Sequence, residues 1–184
     1  MVGYGRVLNF DELAKVMDTV YPFEDKRKHG MIVSVYGIDT GYRTEEVYEH
    51  CWKYQWRAVP VKGSSTHMTA MMKPSNINPI LPGLRPLQLW MVNTDYFKNE
   101  ISNRLDRPMG RSSWMLNKDC SREYCEHITS EHRIIDAKGY EHWEKKTSAK
   151  QNHWWDCAVY AFAIGTLVSV QSLQDTPTAM ETSG

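Results

Sequence analysis

Residues 31–63 read MIVSVYGIDTGYRTEEVYEHCWKYQWRAVPVKG, and this stretch decides the fold class. Met31 to Ile38 is rich in β-branched residues, which suit a buried pleated strand. The run stops at Asp39-Thr40-Gly41, a turn sequence. Thr44 is read as the cap of a helix, with Glu45 and Glu46 in its first turn, where carboxylates meet the positive end of the helix dipole. Val47, Tyr48, Cys51 and Trp52 recur at helical spacing and predict the face turned inward. Arg57 to Lys62 is a second strand, closed by Gly63. Strand, helix and strand in succession predict parallel strands joined by a crossover, hence an α/β domain.

Toward the C-terminus, Ser64 to Pro86 carries Pro74, Pro79, Pro82 and Pro86 and is read as a long loop, a length usually kept for function. Leu87 to Val92 is a third strand. A helix starts at Thr94 or Asp95 and carries Phe97, Ile101 and Leu105, with Arg104, Arg107 and Arg111 at its end. A shorter helix falls around Ser121 to Ser130. Arg133 to Asp136 and Tyr140 to Lys145 form a hairpin turning at Lys138-Gly139. Asn152 to Val170 is the last helix, apolar nearly all round after Asp156 and so buried. From Gln171 the chain is polar and predicts a disordered tail, so one domain spans residues 1–170 and a tail spans 171–184. Toward the N-terminus, Asn9 with Glu12 forms a capping box for a helix presenting Leu13, Val16, Met17 and Val20. Tyr4 to Leu8 before it reads as a short strand. Lys26, Arg27, Lys28 and His29 form a basic spot in the following loop.

The chain has 184 residues, enough to bury a core, and 22 basic side chains balance 22 acidic ones. Nucleic-acid binding therefore has to come from local patches rather than from net charge. No apolar run is long enough to span a bilayer, and no basic-then-apolar leader opens the sequence. Cys51, Cys120, Cys125 and Cys157 are read as free thiols. Cys120, Cys125 and His127 lack the paired spacing of a zinc knuckle. A GxxxxGK(S/T) phosphate loop is absent, which excludes a P-loop ATPase in this chain, and so is a Gly-x-Ser-x-Gly elbow.

Three acids sit where chemistry is commonly placed. Asp39 ends a buried strand before a glycine turn, a usual position for function in open α/β sheets, although aspartate also serves turns. Asp156 stands near the start of an apolar helix, where a carboxylate needs a cation, a metal or free backbone donors. Asp95 occupies a similar strand-to-helix junction and could equally be a cap. Trp143, His153 and Trp154 lie near Lys145, Lys146 and Lys150, a mixture that suits nucleic acid or a lysine-guarded hairpin edge.

Taken in order, these segments resemble the C-terminal nuclease part of the GpA family of phage terminase large subunits. The resemblance runs through Tyr4-Gly5-Arg6-Val7, Ile38-Asp39-Thr40-Gly41-Tyr42, Thr44, Val47-Tyr48 and Val61-Lys62-Gly63. It continues through Val92-Asn93-Thr94-Asp95, Lys98, Leu105, Tyr124 and Ile128-Thr129-Ser130-Glu131, then Trp143, Lys145-Lys146, Asn152, Asp156-Cys157 and Tyr160-Ala161. It implies an RNase H-like fold, a mixed central sheet flanked by helices, and a metal-dependent endonuclease that cuts concatemeric viral DNA during packaging. It further implies two Mg²⁺ or Mn²⁺ ions on a carboxylate cluster, with double-stranded DNA, the terminase small subunit and the portal protein as partners in the host cytoplasm and no membrane.

By this resemblance Asp39 and Asp156 match the second and third acids, with Asp95 an accessory acid on a strand beside that of Asp39. The family's first aspartate would lie on a strand upstream of Tyr4, so the resemblance implies an N-terminally truncated domain whose first strands are missing and whose own cutting is inefficient. The alternative is a catalytically incomplete fragment that docks DNA or the portal. The proline-bearing loop, with Lys62 and Lys73, is expected to border the metal site and hold the duplex.

Overall fold

The computed structural model describes residues 3–22, 30–79, 83–110 and 112–169. The elements are α1 (Phe10–Met17), β1 (Tyr21–Pro22), β2 (Gly30–Met31), β3 (Tyr36–Asp39), α2 (Thr44–Lys53), β4 (Ala58–Gly63), β5 (Met72–Ile77), β6 (Leu87–Val92), α3 (Thr94–Leu105), α4 (Arg122–Ile128), β7 (Glu131–Ile135), β8 (Glu141–Lys145) and α5 (His153–Leu167). The basic spot at 26–29, Pro82, Arg111 and the tail from 171 lie outside the described residues.

The expected strand–helix–strand unit is present: β3 and β4 are parallel and α2 crosses between them. The main sheet runs β3-β4-β6-β5, with β6 parallel to β4 and β5 antiparallel to β6. It is a mixed sheet with helices on both faces, as expected. β4 tolerates Pro60 because pairing with β6 begins only at Val61. Carbonyls of Arg57 and Val61 accept from Tyr36 and Thr40 on the β3 side, so Pro60, at the alternate position, would have aimed its missing N–H at the unpaired stretch. Among the described residues no strand pairs with the other side of β3.

Alternation along the strands gives each face its own core. Val61, Val92 and their neighbours meet Phe97 and Ile101 of α3 and Val159, Ala163 and Ile164 of α5. On the opposite face Tyr36, Ala58 and Leu87 meet Val47 and Cys51 of α2. Gly37 lets α5 approach: a Cβ there would stand 2.8 Å from Ile164 Cγ1. Arg57, 5% exposed, closes the end of the second core by donating to the carbonyls of Met17 and Val33 at 2.6 and 2.7 Å and to Asp18 at 2.6 Å.

Several sequence expectations are corrected. Tyr4 to Leu8 joins no sheet; the Tyr4 hydroxyl accepts from Ser121 N–H at 2.6 Å and its ring lies against Tyr124 and Trp154. That aromatic docking holds the segment on α4 and α5. The single strand read over Met31–Ile38 is broken into β2 and β3. The long loop contains β5, whose Pro74 lies in an edge strand, where a missing N–H is tolerated. Thr44 is the first helical residue rather than the cap; Arg43 takes the cap position in the left-handed region at φ 53°, and the Thr44 hydroxyl donates back to the Thr40 carbonyl. Asn9 does cap α1, and Glu12 reaches back to Leu8 N–H.

β7 and β8 form a separate hairpin. Its turn is set by Asp136, which accepts from Lys138 and Tyr140 N–H, and by Gly139 at φ 84°. No helix among the described residues is long and apolar enough to cross a membrane.

Candidate active site

β3 ends with Asp39 on the sheet face covered by α5, because Asp39 alternates with Tyr36 and Ile38 and shares its face with Gly37 and Val61. Its carboxylate accepts from Gly41 N–H at 3.1 Å, so it also shapes the turn, and the side chain stays exposed. α5 brings Asp156 to the same face. The helix start is fixed by Trp155, 1% exposed, and by Trp154, whose ring lies against Tyr124 and His127.

Asp156 is half-buried, and its carboxyl is pushed above the ordinary carboxylate range. Loss of solvent is the main cause. The Lys98 ammonium opposes the shift, while the negative charges of Glu131 and Asp39 add to it.

Tyr160, one turn further along α5, places its hydroxyl at the end of β4, where it accepts from Gly63 N–H at 3.1 Å. A Cβ on Gly63 would meet that oxygen at 3.0 Å, so the missing side chain admits the phenol. Burial, and then the charges of Asp39 and Asp156, raise the phenol well above its usual range. The phenol therefore keeps its proton.

Behind Asp156 lies an ion pair that the sequence reading assigned no role. Lys98 Nζ stands 2.6 Å from Glu131 Oε2 and 3.5 Å from Asp156 Oδ1, with side-chain exposures of 9% for Lys98 and 4% for Glu131. Asn152 donates to the other Glu131 oxygen at 2.7 Å. A signal for this pair was available: Lys98 falls three residues before Ile101 on the inward stripe of α3, and a lysine there needs an anion.

The remaining candidates have other partners. Asp95 accepts from Trp143 N–H at 2.9 Å, and Trp143 Nε1 donates to Asn99, so this part of α3 holds the hairpin. The strand before Asp95 is β6, which β4 separates from β3, so it does not lie beside Asp39's strand as expected. Lys62 and Lys73 both stand opposite Met91 on β6 and share the α2 face, away from Asp39. Lys145 pairs across the hairpin with Glu131, and Lys146 N–H donates to the Ser130 carbonyl, so the backbone carrying these two cations adjoins Glu131. All four cysteines are free thiols, with Cys120 and Cys125 Sγ at 3.8 Å. Among the described residues no group of three or more His, Cys, Asp or Glu side chains is gathered as a metal site.

No curated protein and no solved structure matches the chain. The family model of the terminase large subunit gpA endonuclease domain matches residues 4–176. That span runs from the segment docked on α4 and α5, through both carboxylate-bearing elements, past the end of α5, and by it the chain belongs to the endonuclease domain family of the terminase large subunit gpA.

Proposed function

We propose that this chain is a divalent-cation-dependent DNA endonuclease domain of RNase H-like type, which cuts concatemeric viral DNA in the host cytoplasm as packaging starts and stops. The observation that supports the reading is that β3 brings Asp39 and α5 brings Asp156 to one face of the sheet, where the Asp39 charge adds to the raised proton affinity of Asp156. The residues fit a Mg²⁺ or Mn²⁺ ion in the sense such ions require: hard oxygen donors, one or two carboxylates from the protein, and open positions for water and phosphate. Asp39 and Asp156 would hold it. When bound, such an ion supplies a water of lowered pKa and neutralises charge building on the phosphate.

The chain's own groups do the positioning. The Tyr160 hydroxyl, which accepts from Gly63 N–H, would turn its own hydrogen toward a phosphate oxygen. Lys145 and Lys146 give the duplex its electrostatic hold, which weakens as salt rises. Asp95 keeps the hairpin bearing them against α3. The terminase small subunit and the portal protein are the partners in this reading.

The test is a supercoiled-plasmid nicking assay with Mg²⁺ or Mn²⁺. The expected result is slow, metal-dependent nicking that falls by at least about a hundredfold in Asp39→Asn and in Asp156→Asn, the scale of losing a group that stabilises the transition state. Nicking that survives both substitutions overturns the reading. The absence of a three-ligand group among the described residues favours a second one, a docking domain that binds DNA without cutting it. Salt-sensitive binding with no cleavage in either metal is its signature.

A further inference from the structure

Lys98 belongs to the second turn of α3, and the residue is 7% exposed. A buried ammonium persists only where anions hold it. Here they come from two other elements: Glu131 at 2.6 Å from β7 and Asp156 at 3.5 Å from α5. Glu131 is occupied on both oxygens, by Lys98 and by Asn152. It is therefore turned away from ligand duty although it adjoins a candidate metal ligand. An ammonium seated between two carboxylates offsets one of the two charges that a divalent ion would neutralise, and it competes for the same lone pairs.

We propose that Lys98 is the resident cation of this acidic cluster: its ammonium, clamped between Glu131 and Asp156, takes the place of a second divalent ion, so this chain binds one such ion rather than two. Lys98 is a positioning residue in this scheme. It orients Asp156 from behind and leaves the front of that carboxylate to the ion shared with Asp39. The count of one rests on the proposed nuclease site, whereas the clamp rests on its own geometry. The consequence is that one of the three positive charges set against Asp39, Glu131 and Asp156 is covalently built in and independent of metal concentration.

The experiment is a Mn²⁺ titration followed by the electron paramagnetic resonance signal of the free ion. It uses the chain itself, Lys98→Met, and the pair Lys98→Met with Glu131→Gln. One ion per chain is expected for the parent and one additional ion for Lys98→Met, because the methyl group frees Glu131 and Asp156 to hold it. The double substitution should lose that gain. A Lys98→Met chain with the parent's circular dichroism and no added ion overturns the proposal, as do two ions on the parent, a measurement that stands even if the variant does not fold. A parent that binds none beside a Lys98→Met chain that binds one sustains the resident cation and removes the Asp39–Asp156 metal reading.

Discussion

Asp156 carries a tension between stability and use. Burial is the first cause of its raised proton affinity, so in the folded chain the ionised form is costly. An acid whose folded value lies above its ordinary one holds the proton more tightly in the native state. The native chain is then favoured while that proton is held, and stability is lost as pH rises from about the ordinary value of 3.8 through the raised one. With a chelator present, Asp156→Asn should therefore melt higher than the parent at pH 7, and the difference should vanish near pH 3. Thermal unfolding at the two pH values checks this, and equal melting at pH 7 would contradict it. Asp39 and Asp156 were readable as candidates because each sits at a junction, Asp39 at a strand end and Asp156 at a helix start, and the structure has those junctions. Of the Lys98–Glu131 pair only the need of an inward Lys98 for an anion was legible; which anion meets it is settled only when α3, β7 and α5 come together, and sequence spacing carries no record of that meeting.

Elements, rather than single residues, explain the fate of Asp95. At a strand-to-helix junction it has the same local signature as a catalytic acid, yet the folded chain gives its carboxylate to the backbone of β8. The hairpin is a sheet of its own, and two strands alone are marginal in water, so its attachment to α3 matters. Asp95→Ala should leave Trp143 N–H without its acceptor and destabilise the chain by about 1–3 kcal/mol. Asp95→Asn keeps an acceptor oxygen and should cost less than about 0.5 kcal/mol, the range of mild substitutions. Urea unfolding separates the two, and the nicking assay adds a second check, since Asp95→Asn should cut as the parent does. A folded Asp95→Asn chain without cleavage would return that carboxylate to the metal. Element type was readable from period and caps, as the matches at β6, α3 and the β7–β8 hairpin show. Element pairing was not: β5 hides among prolines, and its place beside β6 is a long-range outcome with a weak local sign.

At the scale of the whole molecule, the α/β class followed from one strand–helix–strand stretch, while the strand order β3-β4-β6-β5 did not, since β6 enters beside β4 only after β5 has been laid on the outside. The same order gives the faces their division of labour. Lys62 and Lys73, which the sequence placed near the acids, stand on the α2 face, because residues one apart along a strand point to opposite sides. The side of β3 that no strand pairs among the described residues has one more consequence, visible in deuterated water. The amides of Tyr36 and Thr40 are tied to β4, whereas those of Gly37 and Asp39, at alternate positions, face outward. Exchange along these residues should alternate, slow at 36 and 40 and fast at 37 and 39, although all belong to one short segment. A strand supplied in trans to that margin would silence the two fast amides and leave the slow ones unchanged. Amide exchange read residue by residue would thus report occupancy of the sheet's open margin, at the very residue that carries the first candidate acid.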